Sequence, residues 1–593
     1  MAVSFGMKRR GYSRCLAVAW VIVTTAACQV TPTDSSAGRI GSGAGSTTGR
    51  GNHDSPRARI DQVHALTNAA AYADADAALA SIDRMALSAD QRFEVDLSEA
   101  DLALAEHDLA RASTAIARLA PVRPAQQREA AVVTGRYAAA AGRFADAARA
   151  LIGAYDPSDP AALNEEIWSY ISRTPIDQVD ALAATSVDTI ARGWWTLADT
   201  LLHAFDLDAE RAALSAWLAA EPSHPAARAL PAALARLREN TEPPRRIALV
   251  VPLTGPLGAA GTALRDGFLA AFYAADGHQT VRVYDSASEP FATLYERILA
   301  DGADAIVGPL DKGGVSAVNQ LRARTVPTLA LNYLAQGETA APGLLQLGLA
   351  IEDDARTIAA RLLEDRVTRL AIFSTDADWS QRAAEQIRSE LNGTTCAVVV
   401  DQRLSDPRAI TENVGQALLI DQSKQRRSEL EKILAEKLEF TPRRRDDLDG
   451  IVALTDSVKA RALLPGLAFY FAGDLPIYGP APMVQGAGPT ELKDLEGARV
   501  TDMPWSVLPD RLRDAIDASI PNARGALDSL YALGVDAYRI ADRIQALGTP
   551  GAPLRMLGAT GVLSLGANGA IRREPMWALV HDGALIALPT IVQ

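Results

Sequence analysis

The run 245-RRIALVVPLTGPLGAAG-261 decides how the second half of this chain folds. Arg245–Leu253 is a near-continuous apolar stretch, the pattern of a parallel strand buried on both faces. Pro252–Gly261 is a turn rich in Gly, and Thr262–Ala275 follows with Leu264, Phe268, Leu269 and Phe272 on one helical face. Downstream the alternation continues. Strands are predicted at Val281–Tyr284, Ala305–Val307 and Thr328–Leu331, with helices at 291–300 and 314–323. A second set comprises helices 353–365, 379–391 and 457–471 and strands Leu370–Ser374, Ala397–Val400, Ile451–Leu454 and Pro476–Tyr478. Successive βα units imply doubly wound parallel sheets, and this many strands divide into two lobes. The turn fits neither GxGxxG nor GxxxxGK, so it is not a phosphate-binding loop.

Upstream of Pro243-Pro244 the pattern is different. Residues 58–241 are Ala-rich with helical periodicity. The sets Ala75/Ala78/Ile82/Met85, Leu109/Ala112/Ile116/Leu119 and Phe144/Ala147/Leu151/Ala154 share one internal spacing and recur at 34 and 35 residues. That is the period of tetratricopeptide helix pairs, whose small residues let neighbouring helices approach closely. Residues 163–200 fit the period less well. Trp168, Trp194, Trp195 and Trp217 are expected in the core, and His203 and His224 as capping or packing residues. Stacked pairs of this kind form a concave face suited to binding protein.

The amino terminus reads as a lipoprotein leader. Lys8, Arg9, Arg10 and Arg14 precede the apolar run Cys15–Val23, and Thr25-Ala26-Ala27-Cys28 follows. This resembles a bacterial lipobox, with Thr25 where Leu is usual; residues 1–27 would be the signal peptide and Cys28 the acylated first residue. Acyl chains contribute ~0.8 kcal/mol per buried CH₂, so several together anchor a soluble body. Gln29 after the Cys, in place of Asp, points by analogy to the outer membrane. Residues 28–57, dominated by Ser, Gly and Thr, form a linker with a root-mean-square span of ~30 Å.

Composition closes off several classes. The chain has 593 residues and a net charge of −13, against the concentrated positive charge that nucleic acid requires. No apolar run reaches the ~20 residues of a spanning helix. Three cysteines and seven scattered histidines offer no metal-ligand spacing, so neither metal nor cofactor is expected. No Ser stands three residues before any Lys, and there is no GxSxG, so penicillin-binding and hydrolase nucleophiles are missing. Cys396 is expected to be a buried structural thiol. Asp446-Asp447 beside Arg443–Arg445 is expected to be a solvated charge run. It follows an amphipathic helix with Leu430, Ile433, Leu434 and Leu438 on one face, a candidate insertion and partner surface.

The loop Pro252–Gly261, Asp285-Ser286 and Val307-Gly308-Pro309 resemble the corresponding segments of type I periplasmic binding proteins. That resemblance implies two lobes joined by three crossings, with a ligand between the carboxyl ends of the strands. Thr254, Gly255, Pro309, Asn332, Thr375 and Thr455 all follow predicted strands and are the candidate cleft-lining residues. Pro309-Leu310-Asp311-Lys312 is not the Ser/Thr-rich loop that a free amino acid's carboxylate would need.

A closer resemblance covers nearly the whole mature chain. Gly193-Trp194-Trp195, Trp217–Pro225, Arg265–Phe268, Val307–Leu310, Leu329–Asn332, Thr501–Trp505 and Ala532–Tyr538 occur in the order found in the penicillin-binding-protein activator lipoproteins of the LpoA kind. The resemblance implies a multidomain fold: an all-α TPR-like repeat at 58–241, then a two-lobed α/β binding-protein fold at 245–593. It also implies a non-enzymatic, outer-membrane-anchored activator that faces the periplasm and contacts a class A penicillin-binding protein, with peptidoglycan as a further contact. The alternative is a solute-binding lipoprotein that captures a small ligand for a transporter, although such proteins carry no helical repeat of about 180 residues in front.

Overall fold

The computed structural model describes residues 55–588, apart from 160, 205, 240–241, 322–323, 336, 522, 524 and 548–553. The predicted signal peptide, the acylation site Cys28 and most of the predicted linker lie outside the described residues. The first helix, α1, opens at Pro56, where the fixed proline φ suits the first turn.

Five helix pairs follow one another: α1 (Pro56–Asn68) with α2 (Tyr72–Ala80), α3 (Ala89–Ala105) with α4 (Leu109–Arg118), α5 (Pro124–Ala140) with α6 (Phe144–Gly153), α7 (Asn164–Ile171) with α8 (Ile176–Thr185), and α9 (Thr189–Leu202) with α10 (Leu207–Ala220). Short helices α11 (Pro225–Arg228) and α12 (Ala232–Leu237) finish the array. The recurring sequence sets fall on the second helix of the first three pairs. In the first, however, α2 stops at Ala80, so Met85 leaves the predicted face and is exposed. Ala75, Ala112 and Ala147 are fully buried, as close helix approach demands. Trp194 and Trp195 are buried, with Trp217 nearly so and Trp168 packed against them. His224 caps α11 through Nδ1, which accepts from Ala226 N at 3.1 Å, and it packs edge-on against Trp194 and Trp217.

The first lobe is built on a parallel sheet of β1 (Arg246–Val251), β2 (Thr280–Asp285), β3 (Ala305–Val307), β4 (Thr328–Ala330) and β5 (Leu344–Gln346), in the order β2-β1-β3-β4-β5. Helices α13 (Gly258–Ala274), α14 (Phe291–Ala300) and α15 (Lys312–Gln320) cover it. The chain then crosses to a second lobe containing α16 (Ile351–Glu364), β6 (Arg369–Ser374), α17 (Asp378–Leu391), β7 (Ala397–Arg403), α18 (Ile410–Ala417), α19 (Ile420–Leu434), β8 (Gly450–Leu454), α20 (Ser457–Phe469), β9 (Ile477–Gly479), α21 (Pro489–Leu492) and β10 (Arg499–Asp502). It returns through α22 (Pro504–Val507), α23 (Arg511–Ser519), α24 (Asp528–Asp542) and α25 (Ile544–Leu547) to a small antiparallel sheet of β11 (Arg555–Leu557), β12 (Val562–Leu565) and β13 (Ile571–Glu574). Finally β14 (Met576–His581) and β15 (Ala584–Ala587) add antiparallel edge strands to the second sheet, ordered β15-β14-β10-β9-β8-β6-β7.

The two lobes are therefore joined by three crossings: β5 to α16, β10 to α22, and β13 to β14. Within the first lobe α24 lies tightly against α13. Cβ atoms on Gly267 or Gly534 would strike the carbonyls of Tyr531 and Leu264, so this crossing requires glycine on both helices. Among the described residues no helix is long and apolar enough to cross a membrane.

The helical array is seated on the first lobe. Glu210 Oε1 and Arg543 Nη1 lie 2.5 Å apart with both side chains buried. Arg555 Nη2 donates to the Thr174 carbonyl, and Ile176 and Leu202 pack against Val562 and Leu557.

Candidate functional site

The six strand-end residues fall into two groups. In the first lobe Thr254 is exposed, and its hydroxyl donates to Asp285 Oδ2 at 2.8 Å. Gly255 has φ of 72°, the left-handed turn conformation that suits glycine. Pro309 follows a cis Gly308–Pro309 bond, and its carbonyl accepts from Leu331 N. The Asn332 amide is used internally: Nδ2 donates to Leu310 O at 3.1 Å and Oδ1 accepts from Tyr333 N at 2.9 Å. Asp311, from the loop that sequence reading judged unsuited to a carboxylate, caps α15 by accepting from Gly314 N at 2.7 Å.

In the second lobe Thr375 and Thr455 stand at the ends of the adjacent strands β6 and β8, and both are buried. Ser380 Oγ links them, accepting from Thr375 N at 2.8 Å and donating to Leu454 O at 2.7 Å. Among the described residues the Thr455 hydroxyl has no hydrogen-bond partner. Among the described residues no hydrogen bond joins the first-lobe four to the second-lobe two.

The crossings themselves hold a buried charge cluster that sequence reading missed. Arg573, at the third crossing, donates from Nη1 to Thr560 O at 2.9 Å and from Nη2 to Ala350 O at 3.3 Å. The same Nη2 lies 3.3 Å from Asp354 Oδ2, and Nε lies 3.7 Å from Asp353 Oδ2. Asp354 Oδ1 accepts from Thr501 Oγ1 at 2.7 Å, which ties the first crossing to the second. Asp502 Oδ1 accepts from Met503 N at 2.7 Å. Tyr333 OH donates to Ile571 O at 2.7 Å, and Gln346 Nε2 to Asn568 O at 3.0 Å.

Burial dominates the protonation of this cluster. It pushes Asp353 up to about 6, against the pull of Arg573 and Arg356. It pushes Asp502 up to about 7, with Asp354 and Asp528 adding like-charge repulsion. In the sequence, Asp353 and Asp354 look like ordinary acids in the first turn of a helix. Only the return of β13 beside α16 reveals Arg573 as their partner. Such an arrangement can hold two lobes at a set angle; it has no nucleophile paired with a base.

Elsewhere, Cys396 is buried, and burial pushes its thiol up to about 11, away from the reactive range. Asp180, Asp199 and His203 each place one ligand atom within 4.8 Å of the others, the one such group among the described residues, but His203 Nδ1 is already 2.9 Å from the Asp199 carbonyl. The Arg443–Asp447 run clamps the insertion to the second lobe. Arg444 reaches Asp474 at 2.9 Å and the Phe471 carbonyl at 2.7 Å, and Arg445 pairs with Asp447 at 2.5 Å. That hydrogen-bonded pairing holds Asp447 down at about 2. Leu438 lies beyond the end of α19 and off its face. Of the residues of α19 only Ile420 is buried, while Leu430, Ile433 and Leu434 are exposed at 45%, 77% and 55%.

Comparison with known proteins matches this architecture over most of its length. The profile of the LppC lipoprotein family covers residues 50–583. The penicillin-binding protein activator LpoA of Vibrio cholerae is 27% identical over 452 residues, 74% of each chain, and that of Photobacterium profundum 24% identical over 447 residues, 73% of this chain and 72% of its own. The structure of Haemophilus influenzae LpoA superimposes with a TM-score of 0.55 at 19% identity, covering 90% of this chain and 94% of that one, and so shares its fold. A helical array seated on a two-lobed α/β body, matched along almost its whole length, places this chain in the LppC lipoprotein family together with the LpoA activators.

Proposed function

We propose that this chain is a non-enzymatic outer-membrane lipoprotein, anchored through Cys28 and facing the periplasm, that activates a class A penicillin-binding protein by direct contact, with peptidoglycan as a neighbouring contact. The observation that carries this reading is the family match over residues 50–583, together with relatives named as activators that align over 74% of both chains. The described body supports a contact role in preference to a catalytic one. Its buried carboxylates and arginine serve the crossings, and its one described thiol is buried and inert.

The contacting element is α19. It carries aliphatic side chains into solvent on a clamped base, as an anchor for a groove in a partner requires. Activation then follows from differential binding. A tenfold shift toward the active synthase conformation requires about 1.4 kcal/mol tighter binding to that conformation.

The test is the rate of glycan polymerisation and crosslinking by a purified class A synthase, with and without the mature chain. Stimulation by the wild type, lost on Ile433→Ser with Leu434→Ser, is the expected result. Full stimulation by that variant removes α19 from the interface. No stimulation of any class A synthase, together with a thermal shift on adding one small metabolite, supports the transporter-type alternative.

A further inference from the structure

The connection between α6 and α7, residues 154–163, is twice as long as the preceding link between pairs, Leu119–Arg123. The helical array leaves a cavity of about 430 Å³ beside α5. Its floor is apolar, lined by the closely packed side chains of Val133, Leu151, Ile167 and Trp194. Its walls carry four carboxylates, Asp101, Glu129, Asp156 and Asp159, against two guanidiniums, Arg128 and Arg136.

Both guanidiniums are already engaged. Arg128 lies 2.8 Å from Asp156, and Arg136 makes a two-pronged contact with Glu166 at 2.9 and 3.0 Å. Asp101, Glu129 and Asp159 have no side-chain hydrogen bond or ion pair among the described residues. Asp101 is the most telling of these. Burial raises its carboxyl above the usual range although Arg136 and His64 oppose the shift. A half-buried carboxylate that has only the through-space charges of Arg136 and His64, and no hydrogen-bond donor on its oxygens, costs stability. A cation delivered into the groove would supply what the site lacks.

We propose that this groove binds a basic, aliphatic stretch of polypeptide, with a Lys or Arg side chain on Asp101 and a neighbouring aliphatic side chain on the floor formed by Leu151, Ile167 and Trp194. The charge balance selects the class. Anionic lipid and nucleic acid are repelled, and a small free amine leaves the apolar floor unfilled. A polypeptide brings both groups at once, and a concave helical array is the surface on which extended segments lie. The proposal rests on the geometry of the groove alone and is independent of synthase activation.

The test uses the mature chain and an array of acetylated, amidated decapeptides. Each carries a central Lys or Arg between pairs of Leu, Ile, Val or Phe, with matched peptides carrying Gln or Glu at the centre. The expected result is at least tenfold tighter binding of the Lys or Arg peptides than of their Gln counterparts, weakening as salt is raised. Asp101→Asn should lose about tenfold in affinity for the basic peptides while leaving the melting temperature unchanged or higher. Val132→Trp, at a partly exposed lining position, should block the groove without unfolding the array. Equal affinity for Lys, Gln and Glu peptides, preference for Glu, insensitivity to both variants, or no binding across the array would each overturn the proposal.

Discussion

In the helical array Arg84 and Arg118 both grip Asp96 and Glu99, with each arginine side chain about 40% exposed, whereas at the crossings of the α/β body one arginine, 5% exposed, faces Asp353 and Asp354. The chemistry is the same but the surroundings differ. The array's pairs keep their arginines partly in water although Asp96 and Glu99 are only 10% and 16% exposed, so losing one arginine leaves the other and solvent to share the charge. Buried pairs are costly to break, since the remaining charge has no water to turn to. The array is a stack in which each pair leans on its neighbours, so it tolerates a gap of about 430 Å³. The α/β body instead passes the chain three times between its lobes, and the buried charges at those crossings are tied to one another.

The contrast is sharpest where the two regions meet. Glu210→Ala leaves Arg543 buried and alone, and should cost about 3–5 kcal/mol of docking between array and first lobe. Calorimetry should then show two transitions in place of one, with proteolysis near residues 240–244. A single unshifted transition would mean that the apolar contacts alone hold the seat.

Asp502→Asn tests the crossings. The folded carboxyl is raised to about 7 from an ordinary 3.8, so it binds a proton more tightly folded than unfolded. The stabilisation it contributes is fully present below about pH 4 and is lost as pH rises toward 7 and beyond. The variant should therefore gain on the wild type across that window, on the order of 3 kcal/mol by pH 8. Parallel unfolding curves for the two proteins from pH 4 to pH 8 would remove Asp502 from the account.

One substitution made in both regions sharpens the comparison further. Gly267→Ala drives a Cβ into the Tyr531 carbonyl, which helix α24 holds in place, and should cost roughly 1–3 kcal/mol. Gly135→Ala meets the tip of Leu151, which borders the open groove and can turn into it, so a smaller loss is expected. Equal losses in denaturant melts would show that the gap provides no slack. The smallest stability effect belongs to Ile433→Ser on α19. With 77% of the residue exposed, the change should stay within about ±0.5 kcal/mol while lowering synthase stimulation.

The strand–helix alternation was legible because buried parallel strands are short apolar runs bounded by turns. Ala305–Val307 and Phe291–Ala300 appear with the bounds read from sequence. Less legible were β11–β15, which are short, carry Arg572, Arg573 and Glu574, and are stabilised by pairing partners distant in the chain. The strand-end residues were found as positions. Their hydrogen bonds were not, because Thr254 is committed to Asp285 and Asn332 to Leu310 through contacts that no local pattern encodes.

Local physics was enough for much of the molecule. Periodicity set the helix pairs, small residues marked their close approach, and Pro243-Pro244 marked the change from array to sheet. Tertiary structure alone decided which charges are buried together. Asp353 and Arg573 are 220 residues apart, Glu210 and Arg543 are 333, and Asp101 meets an apolar floor supplied by four other helices. Whether a carboxylate is solvated, paired or left wanting a partner depends on what the rest of the chain places within a few ångströms of it, because the cost of its charge is set by the local dielectric and by available donors. Sequence spacing carries neither quantity.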